Sequence, residues 1–225
     1  MPRTTSNAAR LYLNSRSRRR LVPPRSSAVR PDDPPAVGQI ISAAVATMAE
    51  NGYHGTSVRD IADAAGVSAA NIYHYFGSKQ GLLLVVMERG IDSLYAATLD
   101  ALYAAPHDPV ARLNAIVGVH VSGHLQARRE AFIGTSELRS LEPEGWQRIV
   151  SKRDQQEHLF DQVVQDGVNE GVFRTLYPRE ASRAIVTMCS AVSGWYNPKG
   201  PISIEEMTAR YQQLALAVVG YRDGN

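Results

Sequence analysis

Between Thr56 and Lys79 the polar residues form a set suited to gripping an extended anion rather than to breaking bonds. Arg59 and Lys79 offer cationic donors, and Thr56, Ser57, Ser68 and Tyr73 offer hydroxyls. Such donors suit phosphate oxygens, whose contacts position a protein on nucleic acid without reading its sequence. Ala69 and Ala70 are small enough to allow close approach to a groove floor, with His74 on or near the same face. Asn71 can pair with adenine or bridge to phosphate. An enzyme would need a nucleophile beside a base, or a metal cluster. The histidines, serines and glutamates of this chain show no such spacing, so no catalytic residue, metal or cofactor is assigned.

Two short helices must carry these residues. Ser57 and Asp60 have capping-box spacing ahead of Val58, Ile61, Ala62 and Ala65. Gly66 supplies a turn that other residues resist, and Ser68 is placed to cap a second helix predicted over 69–75. Ala65 lets the two helices cross closely, while Ile61, Ala62, Val67 and Ile72 face a core. Upstream, Val37, Ile40, Ile41, Ala44, Val45 and Met48 recur at helical spacing until Asn51-Gly52 stops them. This is a helix-turn-helix on a support helix. Ser78 opens a long fourth helix, predicted to about Tyr103.

Further helices are predicted over 109–126, 129–138, 145–169, 178–196 and 203–221, the first opened by Asp108-Pro109. No alternating strand pattern occurs. The expected fold is all-α, with about nine helices and no internal repeat.

The run Ser57-Val58-Arg59-Asp60-Ile61-Ala62, then Ala65-Gly66-Val67-Ser68, then Tyr73-His74-Tyr75-Phe76-Gly77-Ser78-Lys79, resembles the tetracycline-repressor (TetR) family. The resemblance covers about residues 37–85. It implies a homodimeric, ligand-responsive transcription repressor that binds operator DNA through its first three helices, over 37–80. The part over 81–225 would hold the effector pocket and the dimer interface. The pattern Tyr-x-x-Phe-x-Ser-Lys carries phosphate roles onto Tyr73 and Lys79. From Ser136 to Gly200 the chain also resembles, more loosely, TetR-family regulators of lipid and acyl-CoA catabolism. That suggests a hydrophobic or acyl-thioester effector, although Asn197-Pro198-Lys199 departs from the Arg-Pro pairing of those regulators.

Candidate effector-pocket residues are Tyr95, His120, His124, Glu137, Trp146 and Trp195. His120 and His124 stand one helical turn apart, as zinc ligands can, but no third ligand is evident, and pocket lining or ordinary surface is the better reading. The segment around Glu137 and Trp146 reads equally as a pocket border and as a solvated loop. Two apolar seams, Ala184, Met188, Ala191, Trp195 and Ile204, Met207, Tyr211, Leu214, Val218, suit a bundle formed across a twofold axis, the alternative being that both faces pack internally.

The net charge of +2 hides an asymmetry. Residues 1–36 hold eight arginines against two acids, so +6 sits there and −4 in the rest. With prolines at 23, 24, 31, 34 and 35, this segment is expected to be a disordered basic arm. Minor-groove contact, a transit peptide and a plain solvated tail or mis-called start remain open readings of it. One cysteine, Cys189, excludes an intramolecular disulfide, and no run of 18 apolar residues occurs. A soluble, cytoplasmic protein is expected.

Overall fold

The computed structural model describes residues 26–222. Nine α-helices account for the regular structure there, together with one 3-10 turn at Leu138–Ser140. They are α1 (Pro35–Asn51), α2 (Val58–Ala65), α3 (Ala69–Phe76), α4 (Lys79–Ala104), α5 (Pro109–Gln126), α6 (Arg128–Ser136), α7 (Pro143–Asn169), α8 (Pro178–Trp195) and α9 (Ile204–Val218).

Local chemistry sets most of these boundaries. At α2 the capping box closes in both directions: Asp60 N–H donates to Ser57 Oγ at 3.1 Å, and Ser57 N–H to Asp60 Oδ2 at 2.7 Å. Gly66 then takes φ 69° and ψ 32°, the left-handed conformation that a side chain would resist. Ser68 does not cap α3 as predicted; its hydroxyl donates instead to Asn71 Oδ1 at 3.0 Å. Ser78 caps α4, Asp108 caps α5 and Ser203 caps α9, each by accepting a backbone N–H. Proline opens α1, α5, α7 and α8, where its missing N–H costs nothing.

Two apolar cores result. The second, in the bundle of α5, α7, α8 and α9, is built on Leu113, Ile116, Val117, Phe160, Val164, Ile185 and Val192. The first joins α1, α2 and α3 through Ile40, Ile41, Met48, Ile61 and Ile72, but it does not stop at the expected boundary near residue 80. It takes in Leu82, Leu83 and Val86 of α4 and reaches Ile133 of α6, Leu141 just after the 3-10 turn, and Ile149 of α7. Each fully buried aliphatic side chain contributes about 1.5–3 kcal/mol, so the three-helix head is stabilised partly by residues of the larger domain.

The expected disorder over 1–36 fails for its last eleven residues; residues 1–25 lie outside those described. Ala28 is fully buried in the first core, and Ser27 N–H donates to Glu130 Oε1 of α6 at 3.0 Å. Arg89 of α4 donates to the Ala28 carbonyl at 3.2 Å and to Asp33 Oδ2 at 2.6 Å. Burial disfavours the Asp33 charge, yet the Arg89 hydrogen bond and the Arg30 N–H hold its carboxyl below the usual range. A small apolar residue and two charge-assisted bonds outweighed the prolines. Arg89→Met should lower stability by about 2 kcal/mol, the loss typical of a hydrogen-bonded charge. A urea midpoint identical to that of the native chain would show that the strap contributes nothing.

Candidate nucleic-acid interface and buried polar cluster

Most of the anion-gripping residues share one outward surface. Ser57, Arg59, Ser68, Ala70, Tyr73 and His74 are exposed, and Tyr73 keeps 54% of its surface in solvent. Ser57 and Ser68 stand at the N-termini of α2 and α3, where unpaired backbone N–H groups and the helix dipole favour an anion. Asn71 is half-buried, and its bond from Ser68 occupies only the carbonyl end of its amide. Ala69 is half-buried against the core beneath. Tyr75, outside the predicted set, is 42% exposed and stands edge-on to His74 with ring centroids 4.9 Å apart.

Two of the predicted contacts turn inward. Thr56 is buried, and its hydroxyl donates to the Gly52 carbonyl at 2.8 Å and the Thr47 carbonyl at 3.2 Å. The fold uses it to close the α1–α2 loop, so its hydroxyl is not offered to phosphate. Lys79 is half-buried: its ammonium donates to the carbonyls of Tyr53 at 3.0 Å and Thr56 at 2.8 Å, and lies 4.1 Å from the centre of the Tyr53 ring. It clamps the start of α4 to the α1–α2 loop, with one N–H left over.

The six pocket candidates divide. Glu137 and Trp146 lie at the junction with the head: Glu137 accepts from Ser136 and Ser140, and one of its carboxylate oxygens lies 3.6 Å from where a Cβ on Gly52 would stand. Ser140 in turn accepts from Gln80 Nε2 at 2.6 Å through its carbonyl. This contact between the start of α4 and the 3-10 turn has no signature in sequence, because it joins residues sixty apart. Trp146 is 44% exposed and Trp195 59% exposed, so neither is buried in a chamber of this chain alone. Tyr95 is half-buried on α4.

His120 and His124 do come together, stacked with centroids 4.5 Å apart, and they anchor a polar cluster inside the bundle. Gln156 Nε2 of α7 donates to Thr98 Oγ1 at 2.9 Å and lies 3.3 Å from His120 Nδ1. His120 Nε2 lies 3.0 Å from Ser190 Oγ of α8. With Nδ1 accepting from Gln156, the Nε2–H donates to Ser190 and the ring is neutral. Burial pushes both imidazoles down from their ordinary range; the neighbouring His124 adds to this at His120, and Arg153 adds to it at His124. No group of three or more potential metal ligands occurs among the described residues. Burial pushes the Cys189 thiol up to about 12, which leaves it an inert core group.

The terminal helices keep part of their predicted faces open. Ala184, Ala191 and Trp195 of α8 and Leu214 and Val218 of α9 are exposed, while Met188 and Ile204 are half-buried. Met207 and Tyr211, predicted for the same seam, are buried in the second core and so serve the inside of the bundle. The α9 seam is wider than one contact, and its Met207–Tyr211 edge is taken by the protein's own helices.

A helix-turn-helix head with a donor-rich outer face, seated on an all-helical body, defines a DNA-binding transcription regulator. Residues 40–86 match the family described as bacterial regulatory proteins, tetR family, and residues 106–219 match the tetracyclin repressor-like C-terminal domain. The chain belongs to the TetR family. Among curated relatives, the HTH-type transcriptional repressor KstR2 of Mycobacterium tuberculosis H37Rv is 26% identical over 181 residues, covering 80% of this chain and 90% of that one. The structure of M. tuberculosis KstR2, a ketosteroid transcriptional regulator, superposes with TM-score 0.77 at 25% identity over 89% of this chain and all of that one. A tetR-family regulatory protein from Rhodococcus RHA1 gives TM-score 0.80 at 30% identity, covering 85% of this chain and all of that chain. The fold is shared as well by AibR, solved with isovaleryl coenzyme A and operator DNA (TM-score 0.74, 21% identity, 83% of this chain and all of that one). No helix among the described residues is long and apolar enough to cross a membrane.

The histidine cluster gives the body a pH signature. Below about 6.5 the unfolded chain binds protons that the folded imidazoles refuse, so stability falls as pH drops from 6.5 towards 5 and is unaffected above. Each such histidine contributes at most about 1.4 kcal/mol per pH unit. His120→Gln should therefore flatten the acid limb of a melting-temperature profile; equal slopes in the two proteins would exclude His120 as its source.

Proposed function

We propose that this TetR-family regulator acts as a homodimeric repressor, released from its operator by a small hydrophobic or acyl-CoA-type molecule. The observation that carries it is the set of exposed Ser57, Arg59, Ser68, Ala70, Tyr73 and His74, with half-buried Asn71, on two adjacent short helices and their N-caps. On this reading Arg59 and Tyr73 hold phosphates and Asn71 reads a base edge. Lys79 keeps the α4 start in register and adds one donor. KstR2 as a named repressor, and AibR as a protein solved with an acyl-CoA and DNA, support the effector class. No enzymatic role is needed to account for the arrangement.

Repression and release follow from linkage. An effector with higher affinity for the arrangement that cannot bind DNA lowers DNA affinity by the same coupling factor. Two recognition helices of a dimer must meet successive major grooves about 34–36 Å apart, or a multiple of that. Helix α4 runs from the head into the body, and a shift along it changes that separation. The partner copy is held by the open face of Ala184, Ala191, Trp195, Leu214 and Val218, through the α8 and α9 helices.

Selection of bound duplexes from a random pool, followed by displacement with candidate ligands, tests the reading directly. Failure to enrich any duplex would overturn it. With the selected site in hand, Arg59→Ala should weaken all DNA and reduce the slope of log affinity against log salt by about 0.9, one phosphate's worth. Tyr73→Phe, which removes a neutral donor, should weaken binding without changing that slope. Asn71→Ala should relax base preference at one position of each half-site. Leu214→Asp should yield monomers by sedimentation and lose most operator affinity; a stable dimer would place the partner on another face.

A further inference from the structure

The cluster holds a buried acceptor without a partner and, on the same turn of α7, a partly buried cation without a counter-ion among the described residues. Arg153 is partly buried, yet no acid forms an ion pair with it among the described residues, whereas its neighbour Lys152 pairs with Asp92 of α4. The hydrogen bond that Arg153 makes runs from Nη2 to the Gly134 carbonyl at 2.6 Å. A guanidinium carries five N–H donors, and removing its charge from water without a counter-ion is unfavourable. One turn along, Gln156 is 5% exposed, and its Oε1 has no partner. Turning the amide over only moves the deficit to its nitrogen, since Thr98 and His120 occupy one end either way. A buried orphan of this kind calls for a partner from outside the chain.

The third member is His124. Its Nδ1 lies 2.9 Å from the His120 carbonyl, so Nδ1 carries the hydrogen and Nε2 is a bare acceptor. The cluster borders the second core, where fully buried Phe160 stands edge-on to His120 at 5.4 Å. The Gly134 carbonyl belongs to the last turn of α6, where carbonyls lack helical partners. Its neighbour Ile133 is fully buried in the core that α6 shares with the DNA-contacting head.

Resting on the repressor reading above, we infer that Arg153 is both the binding group for a ligand carboxylate and the latch that reports it to the head. A carboxylate with an apolar tail draws the guanidinium away from the Gly134 carbonyl. His124 takes a proton from solvent at Nε2 and donates it in a hydrogen bond to the same carboxylate. Gln156 accepts from a hydroxyl or amide N–H near the carboxyl end. Losing its cap, α6 shifts, and Ile133 carries the shift into the core beneath α1.

The sign of the pH dependence follows. Besides burial, Arg153 holds His124 neutral, and an arriving carboxylate cancels that repulsion. One proton is taken up with the ligand, so binding tightens as pH falls from 8 to 6. Exposed Asp100 of α4, Asp154 of α7 and Glu180 of α8 form no ion pair among the described residues, whereas other charged or titratable groups on the helices around α5 are engaged or uncharged. Asp92 of α4 holds Lys152, Glu157 of α7 holds Arg183 of α8, and Arg112 of α5 itself lies near Asp166. On α6, Glu130 accepts from Ser27 and Arg128 donates to the Ser193 carbonyl. Arg210 of α9 pairs with Glu206, and Cys189 of α8 and Tyr211 of α9 are buried and neutral.

The experiment uses the full chain with straight-chain alkanoates from butyrate to dodecanoate, their methyl esters, 3-hydroxyoctanoate and octanoyl-CoA. Titration calorimetry at pH 6 and 8, in buffers of different ionisation enthalpy, reads affinity and proton uptake; release of the selected duplex reads the latch. For the native chain, at least one free acid should bind about tenfold tighter at pH 6 than at pH 8, with proton uptake small at pH 8 and rising towards one at pH 6. Its methyl ester should be at least tenfold weaker. 3-Hydroxyoctanoate should exceed octanoate, and Gln156→Leu should erase that advantage. Arg153→Met should lose acid binding at least tenfold and stop responding to acid on DNA, while Arg153→Lys retains part of both. A purely structural Arg153 would lower the melting temperature and leave acid-driven release intact. The ester and pH comparisons on the native chain need no variant. Failure of every free acid to bind, or equal binding of acid and ester, overturns the inference. Release by octanoyl-CoA alone would do the same while leaving the repressor reading standing. Failure to select any duplex would remove the repressor reading, with acid binding still measurable on the free protein.

Discussion

The head of this protein depends on an apolar core that it does not own. Three short helices, two of them only eight residues long, would be marginal alone, since helices of that length gain their stability from packing rather than propensity. Here Ile61 and Ile72 are buried against α1 and α4, and Ile133 of α6, Leu141 of the connection after it and Ile149 of α7 complete the same cluster. The consequence is mechanical as well as energetic. Close-packed interiors do not deform gradually, so a displacement of α6 or of the start of α7 is felt in the head. The Gln80–Ser140 contact and the strap over Ala28 tie the same region from two other directions.

Polar groups follow a complementary logic. At the surface, the Ser57 N–H and the Ser68 hydroxyl are spent on Asp60 and Asn71, while the exposed Arg59 and Tyr73 side chains make no hydrogen bond among the described residues. Just beneath, Thr56 and Lys79 are spent entirely or largely on loop carbonyls, which holds the α1–α2 loop and the α4 start in register. Inside the bundle, Thr98, His120, Gln156 and Ser190 satisfy one another almost completely, and that closed network is what makes the remaining deficits at Gln156 and Arg153 conspicuous.

How much could be read in advance differs between the head and the body. Ser57 with Asp60, Gly66 between two apolar pairs, and the Tyr73-to-Lys79 run are local signals, and local signals survive without tertiary information. Thr56 misled because a hydroxyl beside a cap looks the same whether it faces solvent or a carbonyl nine residues back. Met207 and Tyr211 misled for a related reason. Periodicity marks an apolar face, but it cannot divide that face between the protein's own core and a partner. The strap over 26–33 escaped because one alanine carries its burial, too little to register in composition.

Helix periods, caps and a left-handed glycine are properties of neighbouring residues, so the all-helical class, the helix-turn-helix and the family are legible in the chain read residue by residue. That head and body share a core, that His120 joins Gln156 and Ser190, and that Arg153 caps α6 without a counter-ion among the described residues emerge only once the helices are packed. The His120 and Arg153 contacts join residues 19 to 70 positions apart, and contacts at that separation are set by how helices cross rather than by what stands next in the chain.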